Sequence, residues 1–335
     1  MTSSTSRRAY LEREVLMISV IVPVYNEADN LTALYEQAVS VLERLGQPWE
    51  LIFINDGSTD GSQDKLEELA AKNASVKVIK FCRNFGQTAA MMAGVDYAEG
   101  HVIIPMDGDL QNDPQDIPRL LEKLEQGFDV VSGWRQDRKD NPINRTLPSR
   151  VANGIISYVS GVHLHDYGCS LKAYRKDIIK GIRLYGEMHR FIPIYASCLG
   201  ARIAEIPVQH HPRQNGVSKY GISRVVKVLL DLLVVKFLAK YSGKPMYLFG
   251  SVGVVILAVS LLVVTWALYL KFVEGVSLIS TPLPLLGVMA GISGFMCILM
   301  GLLAEVLIRT YYEAQGKTVY LIGKTCNIKP HGLQG

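Results

Sequence analysis

Asp107-Gly108-Asp109-Leu110-Gln111 follows directly on the apolar run 101–106, and the reading of the chain turns on that junction. Four other β-branched runs, 18–24, 50–55, 76–81 and 129–134, also stop at polar or glycine residues. The first leads into Pro23-Val24-Tyr25-Asn26-Glu27 and the second into Asn55-Asp56-Gly57-Ser58-Thr59-Asp60-Gly61. The run 129–134 leads into Gly133-Trp134-Arg135. Between the first two runs, Leu31, Leu34, Ala38, Val41, Leu42 and Leu45 keep helical spacing, and Gly46 suits the residue that ends a helix. Pro114 suits the first turn of another helix, where a missing N–H costs nothing. Strand–helix alternation of this kind predicts an open, mainly parallel α/β sheet, with ligands bound beyond the carboxyl ends of its strands.

The residues at those ends share a chemistry. There is no G-x-G-x-x-G and no G-x-x-x-x-G-K-[ST], so neither a dinucleotide fingerprint nor a P-loop is present. Carboxylates at strand ends suit ribose hydroxyls and a hard divalent cation instead. Mg²⁺ or Mn²⁺ characteristically takes one or two carboxylates and completes its shell with substrate phosphates. An Asp-Gly-Asp alone is also good turn chemistry, so the inference rests on several such ends in one sheet.

Composition bounds the class. The chain has 335 residues, 49% of them hydrophobic and 20% charged, which excludes wholesale disorder. Thirty-five basic against 31 acidic residues leave a net charge of +4, too mild for a dedicated nucleic-acid binder. Cys82, Cys169, Cys198, Cys297 and Cys326 form no C-x-x-C pair and no metal-ligand spacing, which fits unpaired thiols in a reducing compartment. His163, His165, His210 and His211 lack further ligands at zinc spacing. Residues 1–16 are polar with no apolar h-region, so no cleavable signal peptide is expected.

Mean hydropathy is nevertheless +0.18, because apolar residues concentrate in the last third. Residues 247–270 and 283–304 each carry no Asp, Glu, Lys or Arg apart from their flanks. As helices rising about 1.5 Å per residue, both would cross a hydrocarbon core of about 30 Å. Lys236, Lys240 and Lys244 precede the first stretch, and Arg309, Lys317 and Lys324 follow the second; the loop between them holds only Lys271 and Glu274. The positive-inside rule therefore puts the large N-terminal region and the C-terminal tail in the cytoplasm. Gly287 and Gly291 form a G-x-x-x-G pair of the kind that allows close helix approach. The stretch 222–241 is apolar but carries Arg224, Lys227 and Asp231 on one helical face, as an interfacial helix would. The expected division is a polar extension 1–16, a catalytic domain 17–220, a juxtamembrane amphipathic helix 221–245, two transmembrane helices within 246–309 and a cytoplasmic tail 310–335.

The motifs Pro23-Val24-Tyr25-Asn26-Glu27, Asn55-Asp56-Gly57-Ser58 and Asp107-Gly108-Asp109, in that order, resemble those of the family 2 glycosyltransferases of the GT-A, Rossmann-like fold. His211-Pro212-Arg213-Gln214-Asn215-Gly216-Val217-Ser218-Lys219-Tyr220 is similar to the H-x-P-R-x-x-G-x-S-K element of the polyprenyl-phosphate glycosyltransferases. That group includes dolichol-phosphate mannose synthases and bactoprenol glucosyltransferases. The resemblance covers about residues 17–240, and two C-terminal spans are a further mark of the bactoprenol type. It implies that Pro23, Tyr25, Glu27 and Asp56 line a nucleoside pocket. Asp107 would approach nucleotide or metal, and Asp109 and Gln111 would hold Mg²⁺ or Mn²⁺ on the diphosphate. Asp166 sits where family members carry an acidic residue near the acceptor. Arg83-Asn84-Phe85-Gly86 resembles the loop after the third strand. Gln87 stands where many members carry His, which leaves its side chain without an expected role.

The implied reaction is inverting transfer of a hexose from a nucleotide sugar to a polyprenyl phosphate at the cytoplasmic face of the plasma membrane. Glucose from UDP-glucose is the first expectation on subgroup resemblance, and GDP-mannose the alternative. A prenyl phosphate is already an anion and needs no base; the harder tasks are holding two anions together and stabilising the departing diphosphate. Arg135, Arg213 and Lys219 are the cations for that work. Arg138, Lys139, Arg145 and Arg150 lie in a polar stretch, 137–150, suited to a loop closing over the lipid phosphate. A processive polysaccharide synthase would need a Q-x-x-R-W element, and a non-catalytic adaptor would be expected to have lost the carboxylates or the basic residues; neither mark is present. Self-association is left open.

Overall fold

The computed structural model describes residues 16–136, most of 153–212, isolated helical positions between 289 and 310, and residues 320–328. Two compact units divide the chain, one formed by Met1–Leu232 with Val319–Gly335 and the other by Leu233–Thr318. The first unit is an eight-stranded mixed sheet in the order β7-β5-β6-β4-β1-β2-β3-β8.

Its centre is parallel. β1 (Ile18–Val24) lies between β2 (Trp49–Asn55) and β4 (Val102–Pro105), and β2 pairs in turn with β3 (Val76–Phe81). These strands are covered on both faces, so they read as continuous apolar runs rather than alternating ones. Ile18, Val20, Ile21, Val22, Leu51, Ile52, Phe53 and Ile54 are fully buried. α1 (Leu31–Arg44) covers one face, and Gly46 takes the left-handed conformation (φ 63°) that ends it. α2 (Ser62–Lys72) lies between β2 and β3 in the chain. α3 (Gln87–Tyr97) is buried from Thr88 to Val95, and a Cβ at Gly94 would stand 2.9 Å from Ile21 Cβ, so only glycine lets this helix settle on β1.

The outer strands depart from the mainly parallel expectation. β5 (Val130–Arg135) does not follow β4 in the sheet; β6 (Lys172–Arg175) runs antiparallel between them, and β7 (Ile203–Val208) flanks β5 in parallel. Near the C-terminus, β8 (Ile322–Cys326) returns to pair antiparallel with β3. Pro114 opens a 3-10 turn, Pro114–Asp116, rather than an α-helix; α4 (Ile117–Glu125) begins after it, with Pro118 in its first turn. Two short helices, α5 (Lys176–Ile179) and α6 (Ile192–Cys198), complete the described part of this unit.

Residues 222–245 and 247–270 lie outside the described residues, as do all but isolated positions of 283–304. Among the described residues no helix is long and apolar enough to cross a membrane. The described helical positions Met289, Ile292, Met296 and Leu303 are apolar and exposed.

Candidate active site

The carboxyl ends of β1, β2 and β4 open onto one edge of the sheet, and the loops that follow them are stitched to one another. Asn26, held at a left-handed φ of 56°, is tied to the second loop in both directions. Its backbone N–H donates to Ser58 Oγ (3.0 Å), while its side-chain oxygen accepts from Thr59 N (2.8 Å). Asp60 accepts from Ala28 N and from Ser62. Burial alone would raise the Asp60 carboxyl, but these bonds outweigh it and hold it below the usual range. Tyr25 stands at this rim, 39% exposed.

Asp56 is 3% exposed and takes the backbone N–H groups of Phe85 (2.6 Å) and Gly86 (2.9 Å) on its two oxygens. Burial raises its pKa, against the pull of those amides. Gly57 makes this approach feasible: with φ 72°, a Cβ there would fall 2.6 Å from the Arg83 carbonyl carbon. The residue expected on the nucleoside thus also shapes the Arg83–Gly86 loop beside it.

Asp107 and Asp109 follow β4. Gly108 lies against the end of β1, where a Cβ would be 3.3 Å from the Pro23 carbonyl oxygen. Asp107 Oδ1 accepts from Gln87 Nε2 (2.8 Å), and Ser170 Oγ lies 2.6 Å from Oδ2. Asn112 Oδ1 accepts from the Asp107 N–H and also meets Ser170 Oγ. Burial pushes the Asp107 carboxyl up and the neighbouring Asp109 charge adds to it, while Ser170, Arg135 and Arg190 oppose. Asp109 is 7% exposed and accepts from Gln111 N (3.2 Å) across a turn in which Leu110 sits at φ 60°. That is an uncommon conformation for a branched residue, and it occurs here in the turn that carries the second carboxylate.

Buried Asp109 and half-buried Asp107, two residues apart at one strand end, fit a divalent cation. Among the described residues no cluster of three or more His, Cys, Asp or Glu stands ready to hold an ion; a hard cation on two carboxylates commonly completes its shell with substrate or water oxygens. Gln111 adjoins the pair; its described contacts are through its backbone, the N–H to Asp109 and the carbonyl to His211 N (3.0 Å).

Arg135, at the end of β5, is gripped by Asp166: Nε to Oδ2 is 2.7 Å and Nη2 to Oδ1 is 3.1 Å. Burial would lower the guanidinium pKa, but the Asp166 carboxylate more than restores it and keeps Arg135 charged. Asp166 is 2% exposed and also accepts from Gly168 N. Its own backbone N–H, with that of His165, donates to Glu205 on β7. Lys172 is buried nearby and donates to the carbonyls of Tyr167 and Cys169; burial pushes its pKa down.

Arg213, Lys219, Arg138, Arg145 and Arg150 lie outside the described residues. The described chain leading to Arg213 does reach the carboxylate loop: His210 bridges Asn112, and His211 Nε2 lies 3.0 Å from Asp113 Oδ2. Sequence reasoning passed over Ser170, Asn112, Lys172 and Glu205, and left Gln87 without a role although its place at the start of α3 aims it at Asp107. Ser170 lies four residues after Asp166, and a serine there carries no signal of its own.

The family model for Glycosyl transferase family 2 matches residues 19–183. A dodecaprenyl-phosphate galacturonate synthase of Rhizobium johnstonii is 42% identical over 311 residues, covering 92% of both chains. An undecaprenyl-phosphate 4-deoxy-4-formamido-L-arabinose transferase of Edwardsiella ictaluri is 36% identical over 315 residues, covering 92% of this chain and 94% of that one. Among solved structures, glucosyl-3-phosphoglycerate synthase of Mycobacterium tuberculosis, in complex with Mn²⁺, UDP and glucosyl-3-phosphoglycerate, superposes with a TM-score of 0.51. It covers 67% of this chain and 80% of its own at 15% identity, which speaks to the fold alone. With the GT-A architecture and these relatives together, the chain belongs to glycosyl transferase family 2 and is a glycosyltransferase whose curated homologues are polyprenyl-phosphate sugar transferases.

Proposed function

We propose that this enzyme transfers one sugar from a nucleotide sugar to a polyprenyl phosphate at the cytoplasmic face of a membrane, with inversion at the anomeric carbon. The observation that carries the reading is the meeting, at one sheet edge, of the Asp107–Asp109 loop with His210 and His211, the residues that open the sequence element containing Arg213 and Lys219. Tyr25, Glu27 and Pro23 would receive the nucleoside beside the loop that Asp56 organises. Asp107, Asp109 and Gln111 would hold Mg²⁺ or Mn²⁺, which when bound would neutralise the diphosphate of the donor and help it leave. The Mycobacterium tuberculosis enzyme of the same fold was solved with Mn²⁺ and UDP, which supports the cation but not the choice between metals.

The acceptor phosphate attacks as an anion, so the chain's own task is orientation and charge. Arg135 supplies a guanidinium whose direction is fixed by Asp166. With both its oxygens engaged by Arg135 and Gly168, Asp166 acts as the holder of that cation rather than as a base. Arg213 and Lys219, with Arg138, Arg145 and Arg150, are proposed to meet the lipid phosphate.

Residues 247–270 and 283–304 are proposed as two membrane spans, with 222–241 lying at the interface. Exposed Met289, Ile292, Met296 and Leu303, spaced by three, four and seven residues, support an apolar helical face in the second. The pairing of β8 with β3 supports an even number of crossings, because chain that leaves the sheet before residue 233 rejoins it by residue 322.

The donor sugar is proposed from the relatives' names: a uronate or an amino-pentose derivative ranks ahead of glucose, which none of these relatives names. Incubating the purified enzyme with undecaprenyl phosphate and radiolabelled UDP-galacturonate, UDP-4-deoxy-4-formamido-L-arabinose, UDP-glucose and GDP-mannose in turn tests both halves. Label entering the lipid phase from one donor is expected. No lipid-soluble label from any sugar nucleotide would remove the acceptor assignment.

A further inference from the structure

Tyr320 and β8 come from the far end of the sequence, yet they lie against the strand that leads to the Arg83–Gly86 loop. β8 is pinned at several points. Lys324 Nζ lies 2.7 Å from Glu67 on α2. Asn327, left-handed at φ 58°, donates its side-chain N–H groups to the carbonyls of Ala70 (2.7 Å) and Val76 (2.8 Å). The ladder with β3 slips by one residue, pairing Lys80 with Lys324 but Phe81 with Ile322. Beyond the slip, the Cys82 N–H donates to the Leu321 carbonyl (3.1 Å), so the pairing continues past the end of β3.

Three aromatic rings run from there to the nucleoside side of the site. Tyr320 stacks on Phe81, with centroids 5.1 Å apart and planes 15° from parallel. Phe81, the last residue of β3, meets Phe85 edge to face at 5.6 Å. The Arg83 guanidinium covers the Phe85 ring at 4.3 Å. Phe85 and Gly86 then give their backbone N–H groups to the two oxygens of Asp56. Tyr320 and Phe81 are both buried, and the Tyr320 hydroxyl donates to Asp96 in the last turn of α3, which ties down the far end of its ring.

Closing a sheet edge needs only the backbone ladder. A buried ring that continues the ladder's end into a stack on Phe81 is a separate feature. Close-packed interiors transmit displacement, so a void in place of the Tyr320 ring would let Phe81 shift and carry Phe85, with the two amides on Asp56, along with it.

We infer that Tyr320 is a positioning residue of the donor site: through Phe81 and Phe85 it holds the Arg83–Gly86 loop in the shape that Asp56 fastens, and so sets the affinity for a nucleoside diphosphate. The inference deepens the proposed function and rests on the reading of the Asp56 side as the nucleoside pocket. It makes the segment that follows the second proposed span a part of that pocket.

The test uses the full-length enzyme in detergent micelles and the variants Tyr320→Ala, Tyr320→Phe and Lys324→Ala. Calorimetry with UDP and Mg²⁺ reads the donor side; kcat at saturating donor and the KM for undecaprenyl phosphate read the rest. Tyr320→Ala is expected to weaken UDP binding by about 10-fold, the scale of one aromatic pair, with kcat and the lipid KM within twofold of wild type. Tyr320→Phe keeps the stack and should bind UDP as wild type does. Lys324→Ala loses an anchor of β8 without touching the rings and should do the same. UDP affinity within twofold of wild type in Tyr320→Ala would overturn the inference, as would a fall in kcat alone. An equal loss of affinity in Lys324→Ala would overturn it too, by tying the effect to the strand's stability rather than to the ring. Should Tyr320→Ala not fold, Tyr320→Leu, which keeps apolar bulk and loses the stacked plane, is judged by the same criteria. The donor reading fails separately if the wild-type enzyme binds neither UDP nor GDP. Hydrogen exchange at the Phe85 and Gly86 amides then decides: faster exchange in Tyr320→Ala than in Lys324→Ala upholds the support of the loop by Tyr320, and equal exchange overturns it.

Discussion

The two sides of the site are built in different ways. Around Asp56, Asn26 and Asp60, small polar side chains accept backbone N–H groups, and the loops after β1, β2 and β3 are held by the main chain. On the other side, buried Asp166 grips Arg135, buried Lys172 holds the carbonyls of one loop, and half-buried Asp107 is bonded by Gln87 and Ser170. The first construction fixes the shape of a cleft and tolerates little change in the backbone. The second fixes charge in a setting of low dielectric, where a cation is worth far more than in water. A nucleoside needs shape; a departing diphosphate needs charge.

Substitutions can break or sharpen that contrast. The largest effect is expected at Asp109→Ala, with transfer lowered by about 100-fold or more while the protein stays folded, since the residue is proposed to hold the cation of the donor diphosphate. Steady-state kinetics beside a melting curve checks it. Asp166→Ala should come next and act on stability as well, because it strands the buried Arg135 charge at a cost of about 3 kcal/mol. Its melting temperature should drop clearly, whereas that of Asp109→Ala should not. Asp56→Asn should cost about 1–2 kcal/mol, because its NH₂ group would face one of the two amide donors it now satisfies. Its functional defect should appear as weaker nucleotide binding with kcat less affected. If Asp56→Asn instead lowers kcat alone, the division between shape and charge is wrong.

The smallest effect is expected far from the charges. Tyr320, just before β8, stacks on Phe81 at 5.1 Å and donates to Asp96 Oδ2 (2.9 Å). Tyr320→Phe should keep the stack and lose the hydrogen bond, destabilising by about 1 kcal/mol with turnover unchanged. Chemical denaturation followed by tryptophan fluorescence would read it.

The same contrast explains what could be read beforehand. β1, β2, β3 and β4 were legible because strands buried on both faces must be apolar throughout, and the polar residues after them stand out. β6, written Lys-Ala-Tyr-Arg, and β8, written Ile-Gly-Lys-Thr-Cys, were not, because short strands with charged residues have no apolar run to announce them. Pairing across the sheet, which no local pattern encodes, creates them. Asp56 and the Asp107–Asp109 pair stand out in the sequence by their position after strands. Gln87 was set aside because a histidine was expected there, although its amide can donate to Asp107 just as well. Asp166 was read as facing the acceptor; its partner Arg135 lies 31 residues away and only the folded chain joins them.

Nucleotide release that depends on both lipid phosphate and a divalent cation tests the central claim most directly. Purified full-length enzyme in detergent micelles would be given UDP-galacturonate, with UDP-glucose and GDP-mannose in parallel, and the free nucleoside diphosphate measured with and without undecaprenyl phosphate. Release from one donor, rising sharply when the lipid is added and abolished by a chelator, is the expected result. Release at the same rate without the lipid, or undiminished by the chelator, would contradict a metal-dependent polyprenyl-phosphate glycosyltransferase.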